Sequence, residues 1–216
     1  MKIGLCGAQG TGKTTLAKAY SEVSGIPYID AKVGDFLNEI GVDLSRSDMP
    51  IVERMKTQLM VAGHIASITE APDLHKTGFI IDRTPIDVMA YTHDIAAQHY
   101  KNDEVLELYA KTHMVCLDAV SRNFNLCLML RPGVQPSSQD YYRKQRASLQ
   151  PFYVNHIDIL MTSMIMSFST KVVGGSLSRF AFMQDDVIDL GRRVSALDEI
   201  VGSVALNSVA KCEPCH

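Results

Sequence analysis

The stretch Gly7-Ala8-Gln9-Gly10-Thr11-Gly12-Lys13-Thr14 constrains this chain more than any other, because it fits G-x-x-x-x-G-K-[ST] at every fixed position. The pattern works in one local setting, a strand that runs through a tight glycine turn into a helix. The flanks supply that setting: Lys2–Cys6 reads as a buried strand and Gly12–Val23 as a helix opened by the loop. Glycines let the backbone curl until its N–H groups converge on an anion. The helix N-terminus adds its positive end. Lys13 is then placed to reach the β- and γ-phosphates of ATP, and the Thr14 hydroxyl to ligate Mg2+. Thr15 reads as helix surface or as a further phosphate contact. The motif fixes nucleotide binding but not its consequence, since GTPases, motors and kinases share it.

Beyond the loop, short apolar runs alternate with longer stretches of helical spacing. Ile26–Ile29, Gly78–Ile81, Asn125–Leu130 and Asp186–Leu190 read as strands. Pro50–Glu70, Pro85–Ala97, Asp103–Asn123, Ser137–Ser148, Tyr153–Phe168 and a segment from about Ser195 read as helices. Strands separated by helices predict an α/β fold of the P-loop NTPase kind: a parallel sheet of about five strands with helices on both faces. Pro132–Gln139 and Lys171–Arg179 read as loops, the second alternatively as one arm of a hairpin with the residues after it. Neither marks a boundary, so residues 1–210 are expected to form a single domain, with 211–216 as a frayed tail.

Composition excludes several classes. The chain has 216 residues, 46% hydrophobic and 21% charged, as in an ordinary globular enzyme. No run reaches the roughly 18 apolar residues of a membrane span, so no membrane partner is expected. The N-terminus lacks the pattern of a signal peptide, and a cytoplasmic location is the default expectation. Cys6, Cys116 and Cys127 lie in apolar runs and read as small core hydrophobes. Cys212, Cys215 and His216 supply fewer ligands than a structural zinc needs. The net charge of −3 argues against a general binder of duplex nucleic acid. Yet Arg122, Arg131, Arg143, Lys144 and Arg146 stand against Asp140 alone, a basic segment suited to a small polyanion.

A second motif is Gly78-Phe-Ile-Ile-Asp82-Arg83-Thr-Pro85, an apolar strand that ends in an acid and then an arginine. Strand C-termini face the ligand crevice of a doubly wound sheet. Asp82 is therefore expected near the magnesium and phosphates, orienting the metal's water shell or accepting a proton from an attacking hydroxyl. The planar fork of Arg83 suits an acceptor or transferred phosphate. The plainer alternative has Asp82 capping the helix at Pro85 and Arg83 paired on the surface.

Together the phosphate loop near residue 7 and the strand-end Asp82-Arg83 resemble the nucleoside and nucleotide kinases, thymidylate kinases among them. The longer pattern IIDRTPIDVMAY resembles a family of small AAA-like P-loop kinases, common in bacteriophages and related to the nicotinamide riboside kinase domain. The resemblance covers roughly residues 1–150. It implies transfer of the γ-phosphoryl of ATP, with Mg2+, to a nucleoside or nucleotide. It implies a basic lid after the fourth strand, at about 131–148, with Arg143 and Arg146 stabilising the transferring phosphoryl group and Arg131 at the hinge; a solvated helix face is the alternative. It implies an acceptor-binding acid after the second strand, where Asp30 stands. Asp87, four residues after Arg83, is expected to hold that guanidinium, and Tyr91 to line the acceptor pocket. His156 and Asp158 read as a satisfied core or surface pair.

Three functions stay open on the sequence alone. The first is a kinase acting on a small acceptor, foremost a deoxynucleoside monophosphate. The second is a kinase acting on 5-hydroxymethylpyrimidine in DNA. The third is an ATPase switch with no acceptor. A homodimer is compatible with each.

Overall fold

Four segments with almost uninterrupted apolar character, and one edge segment, build the sheet of the computed structural model, which describes residues 1–43, 48–133, 150–171 and 180–210. They are β1 (Lys2–Cys6), β2 (Tyr28–Ile29), β3 (Phe79–Ile81), β4 (Leu126–Leu130) and β5 (Phe180–Met183). All pair in parallel, in the order β2-β3-β1-β4-β5. Parallel strands need crossover helices, and these cover both faces, which is why β3 and β4 are buried at every residue. The helices are α1 (Lys13–Ser24), α2 (Val33–Glu39), α3 (Ile51–Thr69), α4 (Pro72–Thr77), α5 (Pro85–Gln98), α6 (Asp103–Asn123), α7 (Pro151–Lys171) and α8 (Leu190–Ala210). The expected α/β fold of the P-loop NTPase kind is the observed one.

Side-chain alternation along the strands divides the core. Ile3, Leu5, Ile80, Leu126, Leu128 and Leu130 pack with α1 and α8 through Leu16, Tyr20, Leu197 and Val204. Cys6, Phe79, Ile81, Cys127 and Met129 point the other way, onto Ile86 and Ala90 of α5 and Ile157, Met161 and Ile165 of α7. Gly4 lies on this second face, where a Cβ would stand 2.7 Å from Thr84 Cγ2 and 2.8 Å from the Phe124 ring. The absent side chain lets the start of α5 approach β1 closely. Cys6, Cys116 and Cys127 are buried and form no disulfide, as expected of core hydrophobes. Among the described residues no helix is long and apolar enough to cross a membrane.

The last strand and the last helix differ most from the sequence reading, while β2 begins at Tyr28 rather than Ile26 and α7 runs Pro151–Lys171 rather than Tyr153–Phe168. The last strand is Phe180–Met183, paired residue for residue with Cys127–Leu130, and not Asp186–Leu190. The 186–190 stretch turns instead: Val187 N–H donates to Gln184 O, Ile188 is exposed, and Asp189 Oδ1 accepts from Arg192 N–H at 2.9 Å. Asp189 thus caps the final helix, which begins at Leu190 rather than near Ser195. The short helices α2 and α4 carry too little periodicity to be foreseen. The expected helix Ser137–Ser148, most of the lid and the 211–216 tail lie outside the described residues.

Candidate active site

β1 occupies the place where connections depart to opposite sides of the sheet, with β3 on one flank and β4 on the other, and the segment after β1 opens into that crevice. Gly7 has φ 147°, and a Cβ on it would stand 2.6 Å from Leu130 O. Gly12, at φ 79° and ψ 22°, is the N-cap of α1 in the left-handed region that favours glycine. Thr11 Oγ1 donates to Ala8 O at 3.0 Å and closes the turn. Lys13 folds back over the loop, its Nζ donating to Gly7 O at 2.6 Å and Ala8 O at 3.0 Å. Burial pulls the Lys13 pKa down, and the nearby Asp87 carboxylate opposes that. Gln9 and Gly10 sit at the tip, and Thr14 and Thr15 lie, both exposed, on the first turn of α1.

Asp87 departs from its expected role of holding Arg83. It is fully buried, and its Oδ2 accepts from Thr84 N–H at 2.8 Å and Thr84 Oγ1 at 2.7 Å. Its Oδ1 lies 3.4 Å from Gly7 N and 3.8 Å from Lys13 Nζ. The reason is positional. Asp87 is the third residue of α5, where a side chain reaches back to the helix N-cap, Thr84. That direction leads under the phosphate loop and away from Arg83.

Because Thr84 and Asp87 start α5, Asp82 is released from capping. Asp82 Oδ2 accepts hydrogen bonds from Thr14 Oγ1 and, at 3.1 Å, from Tyr28 OH. This joins the two sequence motifs: the end of β3 meets the first turn of α1. A threonine hydroxyl beside one carboxylate is a hard oxygen donor set. It suits Mg2+, which keeps several waters and leans on substrate phosphates rather than on an all-protein cage. No cluster of three or more His, Cys, Asp or Glu that could hold a metal ion occurs among the described residues.

Tyr28 escapes the sequence reading. Its signal is register: Tyr28 pairs with Ile80 and Ile29 with Ile81, so β2 ends beside Asp82. Burial raises the Tyr28 pKa first, and the Asp82 charge adds to it, so the phenol stays protonated as a donor. Tyr28→Phe is expected to lower the transfer rate about three- to tenfold, the net worth of one ordinary hydrogen bond, with ATP affinity within about twofold of wild type. Steady-state kinetics measures both, and an unchanged rate would remove Tyr28 from the site.

Arg83 makes no ion pair or hydrogen bond with a described residue, and its charge depresses the Lys13 pKa. Two cations therefore face the crevice with Asp87 as the nearest buried counter-charge. Tyr91 lies near both Arg83 and Asp87 and is hydrogen-bonded to the Gln9 backbone, with burial pushing its pKa up to about 12. Its ring centroid is 6.5 Å from that of Tyr153 on α7. Asp30 is exposed at the end of β2, with Oδ1 accepting from Lys32 N–H at 3.0 Å. His64 supports this corner by contacting Ala31 O at 2.8 Å and stacking on Phe36 at 4.3 Å. Arg131 is engaged elsewhere: Nε donates to Asp158 Oδ1 at 3.0 Å and Nη2 lies 2.8 Å from Oδ2. Asp158 is the satisfied partner expected of it, although its pair is Arg131; His156 pairs instead with Asp94 at 2.9 Å. Arg143 and Arg146 lie outside the described residues.

Known proteins share this architecture. Deoxyadenosine kinase from M. mycoides, with products dCMP and dCDP bound, superposes with a TM-score of 0.60 at 14% identity, covering 94% of this chain and all of that one. The NadR protein in complex with NAD and AMP-PNP superposes with a TM-score of 0.62 at 13% identity. That match covers 93% of this chain and 49% of NadR, so the chain spans about half of that protein. No curated protein matches the chain in sequence. At these identities the likeness is one of fold. A family model is more direct, for the model of the AAA domain matches residues 2–153, most of the chain including both motifs. The chain thus belongs to this AAA-domain family and carries the fold of the P-loop nucleoside kinases.

Proposed function

We propose that this protein is an ATP-dependent kinase that transfers the γ-phosphoryl group to a nucleoside-like or nucleotide acceptor, foremost a deoxynucleoside monophosphate. The observation that carries the reading is the contact of Asp82 with Thr14, which unites the phosphate loop with the strand-end Asp-Arg motif. A loop that only bound nucleotide would need no unpaired arginine on its far side. Arg83 supplies one, close to Lys13 and Tyr91. The neighbours of similar fold include a nucleoside kinase by name, which agrees with this assignment.

In this reading the loop N–H groups and Lys13 hold the β- and γ-phosphates, and Arg83 bridges the γ-phosphate and the acceptor. Thr14 and Asp82 would hold Mg2+, which neutralises charge on the phosphate oxygens when bound. An acceptor oxygen attacks the γ-phosphorus, the bond to the β–γ bridging oxygen breaks, and ADP leaves. An attacking hydroxyl would give its proton to Asp82. An attacking phosphate oxygen has none to give. Asp30 fits an acceptor ribose or base edge, and Tyr91 its ring. Arg143 and Arg146 complete the proposal as lid arginines.

The test is transfer of labelled γ-phosphate to a panel of nucleosides, deoxynucleoside monophosphates, nicotinamide riboside, plain DNA and DNA with 5-hydroxymethylpyrimidine. The reading expects label in a small molecule, with the monophosphates best. Label confined to modified DNA, lost steeply as salt rises, would replace it with the DNA-directed kinase. Free phosphate alone would replace it with an ATPase switch.

A further inference from the structure

Arg193 lies on the first turn of α8 and is 4% exposed, yet no carboxylate forms an ion pair with it among the described residues. Its Nη2 donates to Thr11 O at 2.9 Å and its Nε approaches Met183 Sδ at 3.4 Å. Its Nη1 is 2.6 Å from where a Cβ on Gly12 would stand. The guanidinium thus lies flat against the back of the phosphate loop, beside the N-terminus of α1. Two positive contributions meet there, Arg193 and the helix end. A buried guanidinium with five donors, one carbonyl and one thioether is poorly compensated by the protein itself. Burial alone pulls its pKa below the usual value, with no acid holding it up. The location is also informative. β5 and α8 form the sheet edge opposite β2, so Arg193 belongs to the donor side and is remote from Asp30.

We propose that Arg193 is a positioning residue for the donor nucleotide: it fixes the Thr11 carbonyl from behind, and its buried charge is balanced by the triphosphate rather than by the protein. The proposal rests on the reading of the loop as an ATP site. It also separates two properties that a merely structural arginine would keep together. A structural arginine stabilises the free protein. An arginine whose counter-charge is the ligand costs the free protein stability and contributes to nucleotide affinity.

The experiment titrates AMP-PNP with Mg2+ into wild type, Arg193→Met and Arg193→Lys, and records the melting temperature of each protein without nucleotide. Arg193→Met is expected to weaken AMP-PNP binding about ten- to hundredfold, the scale of a charge-assisted hydrogen bond. Its free-state melting temperature should be unchanged or raised, because an apolar replacement removes an unbalanced charge. Lysine keeps the charge without the planar fork, so Arg193→Lys should bind with intermediate affinity. In turnover the KM for ATP should rise while the KM for the acceptor stays put. Wild-type affinity in Arg193→Met would overturn the proposal, as would a variant that melts several degrees lower or fails to fold. Arg193→Lys decides the affinity question independently, since equal binding by lysine and wild type would exclude the fork. Failure of wild type to bind AMP-PNP would instead overturn the ATP-site reading itself.

Discussion

Lys13→Ala should reduce phosphoryl transfer by about 10³-fold or more, the cost of removing a preorganised charged donor from a developing phosphoryl charge. The same change should also destabilise the free protein, for a reason visible beneath the loop. Lys13 is the close cation to Asp87, a fully buried carboxylate, at 3.8 Å. Alanine leaves Asp87 with Thr84 and Gly7 as partners but no opposite charge, at a cost of about 3 kcal/mol. For a chain of this size that lowers the melting temperature by about 6–12 °C. Adding Asp87→Asn removes the stranded charge and keeps an oxygen for Thr84. The double variant should regain part of the stability and none of the transfer. Calorimetry and a labelled-phosphate assay measure the two separately. Wild-type transfer by Lys13→Ala would remove the phosphate loop from the chemistry.

Asp82→Asn should lower transfer by about 10²–10³-fold and leave ATP affinity within a few-fold of wild type. Asparagine is nearly the same size and can still accept from Thr14 or Tyr28, so the local packing should persist. What it loses is the negative charge that a magnesium shell, or a departing hydroxyl proton, requires. The contrast with Lys13→Ala is informative, since that variant should lose binding and rate together. If Asp82→Asn transfers phosphate at the wild-type rate, the Thr14–Asp82 contact is structural only. Binding of a non-hydrolysable ATP analogue, set beside single-turnover rates, separates these cases.

Local patterns are readable from residues alone. A glycine turn between an apolar strand and a helix is fixed within about a dozen positions, and Lys2–Ser24 folds as that reading requires. Asp82 at a strand end is readable because parallel strands aim their C-termini at one crevice. Legibility fails where distant segments meet. Tyr28 reaches Asp82 across 54 positions and Arg193 reaches Thr11 across 182, and neither distance leaves a trace in spacing. Arg131 shows the same limit, since its fork is taken by Asp158 on a later helix. Asp87 differs, because Thr84-Pro-Ile-Asp87 does carry a local capping pattern, which aims the carboxylate inward and away from Arg83. The misplaced last strand reflects competition between two short apolar runs. Phe180–Met183 prevails because each of its residues pairs in register with Cys127–Leu130 of β4, whereas Asp189 is committed to capping α8.

On the proposed function, ATP is consumed in order to phosphorylate an acceptor at the crevice between the phosphate loop and Arg83. The most direct test is the stoichiometry of γ-phosphate transfer, with and without a saturating deoxynucleoside monophosphate. Close to one phosphorylated acceptor per ADP formed is expected, with ADP formation lower by at least about a hundredfold when the acceptor is omitted. ADP and free phosphate formed at the same rate with or without any acceptor would contradict it.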